Sequence, residues 1–394
     1  MLPSNLSISN SEPMRLRRLR AQERLRKRVI GVLLWTLTAT IFIDVAVGFV
    51  FRLPSDPRVA GTALQNYFDY GRSIEGKLRR LVGMTPGSAA PIVEAGWLAK
   101  ECDIGTTSVP GKIGFDIYGM SFTNQIADHM EGLDNELAST RFGGPAAPPN
   151  HSYACFLRRV AENRTLAPVQ IIGILASSVR RMVTISGLTT SFEGPMPFTY
   201  PRYALTRDGQ LEGRMSSIST EDDLRSALGD PQKWRAFKED LSAADFFYSK
   251  AIFEEDAFDR SVVARMIRRA LGQRVINSRT DALQTKTGFS GAPEIMTVLR
   301  AMLLDFAHKA RERGSRPIVI LIEDRGYGGT ISTRLVPTLQ ESGIEFVSTS
   351  TLVAANDSGN FVADGHFTPR AFDKIAQSVV KLLRREPRVQ SSAQ

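Results

Sequence analysis

Cysteine and histidine are scarce in this chain, two and four among 394 residues. Neither type clusters at metal-ligand spacing, which excludes a zinc-type site built from paired cysteines and histidines. There is no G-x-x-x-x-G-K-S/T and no G-x-G-x-x-G stretch, so the common phosphate- and dinucleotide-cradling loops are absent too. No motif calls for a cofactor. Acidic residues are nearly missing from one place in particular. Residues 29–51 carry a single charge, Asp44, before Arg52.

Basic residues are present, but in one place. The net charge is +9, and residues 1–28 hold eight basic residues against Glu12 and Glu23, a net of +6. Only +3 remains for everything after the tail, which argues against a nucleic-acid partner. At 1.5 Å per residue the 23-residue apolar run is long enough to span a bilayer with some tilt. The arginine-rich flank lies on its amino side, so the positive-inside rule predicts a cytoplasmic tail with the rest of the chain across the membrane. A cleaved signal peptide is the competing reading. The run is longer than the usual signal core, and its small-residue exit, Ala46-Val47-Gly48, lies inside it, which favours an uncleaved signal anchor in an inner membrane. Asp44 is then an interfacial or neutral carboxyl. In an exported chain Cys102 and Cys155 could pair, or stay two buried thiols.

Residues 52–91 read as a connector: Pro54, Pro57, an amphipathic stretch with Leu64, Tyr67, Phe68, Ile74, Leu78 and Leu81, then a Pro/Gly/Ala loop. The soluble domain is expected from residue 92 to 388, with 389–394 a disordered tail. Strands and helices alternate through it. Strands are predicted at 112–118, 138–142, 169–175, 316–322 and 344–349, and helices at 124–133, 153–162, 294–313, 331–342 and 371–383. The almost wholly apolar run 169–175 suits a central parallel strand covered on both faces. Residues 189–293 break the alternation and read as an insertion. Within it, residues 258–271 predict an amphipathic helix. Phe258, Val262, Val263, Met266, Ile267 and Leu271 would face inward, and Arg260, Arg265, Arg268 and Arg269 would form a solvated face or an anion contact. The overall expectation is an α/β fold: a mostly parallel sheet with helices on both faces, split by the insertion.

Two short blocks carry chemistry. In residues 112–123, KIGFDIYGMSFT, a strand ends in Gly119-Met120-Ser121 and a helix follows. That lifts Ser121 to the carboxyl edge of a sheet, where open α/β sheets bind ligands, beside a helix amino terminus suited to an oxyanion. In residues 363–369, ADGHFTP, His366 lies on a loop before the last helix, with Asp364 two residues upstream. A serine hydroxyl needs such a base, and the base a carboxylate to hold it. Of the other histidines, His308 reads as a surface residue, His129 as facing away from the edge, and His151 as lying on a loop near it.

Together, G-x-S-F-T after the first strand and D-G-H-F-T-P before the last helix resemble the SGNH, or GDSL-like, hydrolase superfamily. The resemblance covers about residues 112–176 and 294–383. It implies a flavodoxin-like three-layer α/β/α sandwich and a triad of Ser121 as nucleophile, His366 as base and Asp364 as its orienting carboxylate. It also implies oxyanion donors from a Gly block, at Gly143 or Gly144, and from an Asn block. Ser177 or Ser178 stands where the family's Asn would, and Asn150 is the other candidate. Met120 replaces the Asp of G-D-S, and the usual D-x-x-H is shortened to D-x-H. The implied activity is acyl-ester chemistry without a cofactor, by an esterase or O-acetyltransferase. The implied substrate is the acetyl groups of a cell-surface or secreted polysaccharide, met in the periplasm or outside the cell. The altered Asn block motivates the alternative: an inactive glycan-binding or scaffolding subunit with a partner in an envelope polysaccharide assembly.

Overall fold

The computed structural model describes residues 12–56, 59–82, 94–106, 109–284, 288–289 and 293–385. The first eleven residues of the basic tail, the loop and expected domain start at 83–93, and the terminal tail lie outside them. The described chain opens on one long helix, α1 (Glu12–Val50), of 39 residues. Its stretch Gln22–Val50 is long and apolar enough to cross a membrane, and Leu33, Trp35, Phe42 and Phe49 are all exposed.

The chain then folds back. Helix α2 (Ala63–Asp69) begins at a capping box, with Thr62 and Gln65 each accepting the other's amide. The Phe68 ring lies 5.1 Å from Phe51. Helix α3 (Ile74–Val82) buries Ile74, Leu78 and Val82 in the main core. This corrects the reading of 52–91 as a connector: an apolar face spaced four by four needs cover, and α3 finds it within the folded domain.

A short helix, α4 (Leu98–Cys102), precedes the alternating part. Strand β1 (Ile113–Tyr118) leads to α5 (Ser121–Leu133), β2 (Leu137–Phe142), α6 (Pro149–Ala161) and β3 (Val169–Leu175). A 3₁₀ helix, Ala176–Val183, follows. The chain next makes a hairpin, β4 (Arg202–Leu205) and β5 (Leu211–Arg214), whose turn uses Gly209 at φ 76°. Helices α7 (Glu221–Gly229), α8 (Pro231–Ala244), α9 (Lys250–Phe253) and α10 (Val262–Leu283) come after it. The alternation resumes with α11 (Pro293–Glu312), β6 (Arg316–Ile322), α12 (Ser332–Glu341), β7 (Glu345–Ser348) and α13 (Pro369–Leu383).

Five strands form one parallel sheet in the order β2-β1-β3-β6-β7. Its strands alternate between two cores, as the two-residue period of a strand requires. Phe115, Ile117, Ile171, Ile318 and Ile320 join one cluster with α5 and α13; Tyr118, Ile172, Ile174, Val319 and Leu321 join the other with α6 and α11. Chain order reverses direction across the sheet between β1 and β3, which opens a crevice at their carboxyl ends.

Helix α10 corrects a second expectation. Arg265 and Arg268 face inward, at 8% and 4% exposed, while Arg260 just before the helix and Arg274 stay exposed; much of the apolar face turns outward, with Ile267 and Leu271 at 57% and 55%. Carboxylates on other elements wait inside. Arg265 Nη1 lies 2.7 Å from Asp69 Oδ1, and Arg268 pairs with Asp256 and, at 2.5 Å, with Asp259. Asp259 also accepts from the Ser73 amide and hydroxyl. Buried guanidinium groups persist where carboxylates meet them, as here, although Arg265 Nε has no hydrogen-bond partner among the described residues.

Candidate active site

Ser121 is the first residue of α5, three residues earlier than the sequence predicted for that helix. Thr123 explains the sharp entry. A Cβ on Gly119 or on Gly173 would overlap the Thr123 side chain, so the two glycines let it wedge between the ends of β1 and β3. Its Oγ1 donates to the Met120 carbonyl at 2.5 Å. Met120 supplies no side-chain cap, so the first-turn amides of α5 keep their positive end open toward the crevice.

His366 comes from a tight hairpin. Phe361 and Phe367 bridge as antiparallel partners, Val362 donates to the His366 carbonyl at 2.8 Å, and Gly365 donates back to Val362 at 3.0 Å. Gly365 sits at φ 91°, a left-handed position that glycine takes without strain. This turn delivers His366 Nε2 to 2.7 Å from Ser121 Oγ, across 245 residues of sequence. The imidazole stacks on Phe122, centroids 4.6 Å apart at 25°. Ser121 therefore meets the edge of the ring while its neighbour supports the face.

The same turn accounts for the D-x-H spacing. Asp364 Oδ1 accepts the His366 amide at 3.0 Å, a side-chain-to-backbone bond two residues on. Oδ2 lies 3.1 Å from His366 Nδ1. That approach is not aligned as a hydrogen bond, and Nδ1 has no other partner among the described residues, so it is a close carboxylate–imidazole contact. The bond from the His366 amide, then the ring contact, holds the Asp364 carboxyl below its ordinary range. Its side chain is 68% exposed, unlike a buried triad carboxylate.

The four oxyanion candidates separate. Gly143, at φ 140°, lies so close to Gly119 that a Cβ would overlap the Gly119 carbonyl oxygen. Gly144 packs on Gly96, where a Cβ would lie 2.5 Å from the Gly96 Cα. Neither amide donates to a protein acceptor among the described residues, and Gly143 packs on Gly119, which precedes Ser121 by two residues in the chain. Two groups hold it there. Buried His151 donates from Nε2 to the Gly96 carbonyl at 2.8 Å, and Arg181 Nη1 donates to the Ala146 carbonyl at 2.7 Å. His151 lies in the first turn of α6 rather than on a loop, because Pro149 starts that helix four residues before its predicted start.

Asn150 is not at the edge. It is fully buried and donates to the Pro201 carbonyl at 2.6 Å, tying α6 to the chain before β4. Ser177 turns to the next strand: its amide donates to Asp324 Oδ1 at 3.1 Å. Burial raises the Asp324 carboxyl, opposed by bonds from Ser177. Ser178 donates its hydroxyl to the Leu175 carbonyl. These engagements correct the expectation that Asn150, Ser177 or Ser178 fills the Asn position. His129, paired with Asp373 at 2.7 Å, and exposed His308 lie away from Ser121, as expected.

Phe122, Thr123 and Arg181 are site-building residues that the sequence reading missed. Only the glycines at 119 and 173 hinted at a bulky neighbour. Among the described residues no group of three or more His, Cys, Asp or Glu side chains is placed to hold a metal. Cys102 and Cys155 are joined in a disulfide, which links α4 to α6 behind the Gly144 loop. The chain matches no protein-family model, and no curated protein is similar to it.

Proposed function

We propose that this chain is an exported, membrane-tethered serine acyl-ester enzyme acting on acetyl groups of a cell-surface or secreted polysaccharide. The observation that carries the reading is the 2.7 Å contact of Ser121 Oγ with His366 Nε2 at the crevice of a parallel sheet. The strand order and the two cores support a flavodoxin-like three-layer sandwich of the SGNH type, with 189–293 as its insertion. The apolar helix and its arginine flank support a single-pass anchor with a cytoplasmic tail. The disulfide supports an oxidising compartment for the rest.

In the reaction, Ser121 Oγ attacks the acetyl carbonyl carbon as His366 Nε2 takes its proton. The carbonyl oxygen becomes an oxyanion facing the open amides of the α5 terminus and of Gly143. Collapse breaks the ester bond, and His366 returns the proton to the departing sugar oxygen. The acetyl-enzyme then gives its acetyl group to water in an esterase, or to a sugar hydroxyl in a transferase. Asp364 fixes the imidazole throughout.

The engagement of Asn150 and Ser177 elsewhere favours one second reading, an inactive subunit that only holds glycan. The purified full chain, assayed with a chromogenic acetyl ester beside Ser121→Ala, separates the two. Turnover lost with the hydroxyl supports the enzyme. Equal rates in both proteins, or no acetyl-enzyme on Ser121 by mass spectrometry, support the second reading.

A further inference from the structure

The inverted helix α10 leaves apolar side chains on the outside where a soluble surface would be polar. Phe258, Val263, Ile267 and Leu271 are 62%, 39%, 57% and 55% exposed. Val263, Ile267 and Leu271 share one face of α10, spaced four by four, and Phe258 precedes that helix in the 3₁₀ turn Ala257–Arg260. The same face turns polar farther along, at Arg274, Ser278 and Asp281. The apolar half is the half next to α1.

Asp44 makes that junction. Its Oδ1 accepts from the Val263 amide at 2.7 Å and from the Ser261 hydroxyl at 3.1 Å, so the odd carboxylate of α1 caps the amino terminus of α10. Gly48, one turn on, lies against Val262. Asp44 is six residues short of the end of α1, about 9 Å below it. The start of α10 is therefore fastened below the top of the apolar helix, and its stripe continues the bare apolar surface of α1. Tyr67 and Tyr70 of the α2 segment, with Arg269 over both rings at 5.0 and 4.9 Å, border it. Aromatic rings beside arginine are the composition of a membrane–water boundary.

We infer that the exposed face of Phe258, Val263, Ile267 and Leu271 is embedded in the outer leaflet of the bilayer that α1 crosses, with α10 rising from it at Arg274. This rests on the reading of α1 as a membrane anchor. Lipid is favoured over a second protein because the stripe joins a helix of bilayer length and fades with distance from it.

The test uses the full chain in phosphatidylethanolamine–phosphatidylglycerol vesicles. An environment-sensitive dye is placed singly through Leu37→Cys, Ile267→Cys, Leu271→Cys or Ser278→Cys; the native cysteines are engaged with each other. Lipids carrying a nitroxide on the acyl chain should quench and blue-shift the dye at 37, 267 and 271, and leave 278 open to aqueous iodide. Quenching at 37 without 267 and 271 overturns the inference and leaves the anchor standing. A dye at 267 and 271 shielded from both quenchers means that protein covers the stripe, which also overturns it. No quenching at 37 removes the anchor reading, and this inference falls with it.

Discussion

Phe122 carries the face of the imidazole whose edge Ser121 meets, so neighbouring residues have separable roles. Ser121→Ala should lower kcat by at least about 10³-fold, read with an acetyl-ester substrate. Phe122→Ala removes a stacked ring that contributes about 1 kcal/mol, so kcat should fall roughly 5-fold with KM unchanged. Asp364→Asn should cost roughly 10- to 100-fold, well short of the ~10⁴-fold typical of a buried triad carboxylate, because water screens its contact with His366. His151 acts differently. Burial lowers its imidazole to about 4. The folded state holds it neutral while the unfolded chain takes a proton near the ordinary 6.5. Between those values the unfolded state binds more protons, so stability falls as pH falls, by roughly 3 kcal/mol from this group. Urea titrations from neutral pH to pH 4 should show that slope, and the His151→Gln difference curve should lose it. The meeting of Ser121 with His366 was legible from two short blocks. Gly143 was named in the sequence only through the resemblance, and its close approach to Gly119 was not legible, since no local pattern records which backbone a glycine packs on.

At the scale of elements, the hairpin that presents His366 depends on one left-handed residue. Gly365→Ala meets no neighbour there, so its cost is conformational, about 1–2 kcal/mol. Thermal unfolding should report that loss, together with a fall in kcat as His366 shifts. Gly365→Asn, which tolerates the left-handed region, should recover much of both. The sheet strands and their helices were readable because long apolar runs fix their period whatever surrounds them. The boundaries of α5 and α6 were less so, because Ser121 and Pro149 suit a first helical turn as well as a loop. The orientation of α10 was unreadable for a further reason. Arg265 and Arg268 are inside only because Asp69, Asp256 and Asp259 come to meet them, and no local pattern records that meeting.

Across the whole molecule, the covalent link between Cys102 and Cys155 closes a loop of 53 residues that contains β1, Ser121 and the Gly143–Gly144 turn. Chain entropy alone assigns such a loop about 4 kcal/mol. Cys155→Ala, or reduction under native conditions, should lower the denaturant midpoint accordingly, and should weaken activity if the Gly144 loop loosens before the sheet. That pairing was open in the sequence, because bridging requires α4 and α6 to lie side by side and only the fold supplies that. Asp44 has a consequence of another kind. On the proposed topology, the catalytic domain does not swing on a leash but stands at one altitude above the bilayer, fixed by a carboxylate and a helix end. Its hunt for substrate is then planar, confined to a thin shell of space. Long polymers emerging at the cell surface would pass through that shell, while esters diffusing in bulk would mostly miss it.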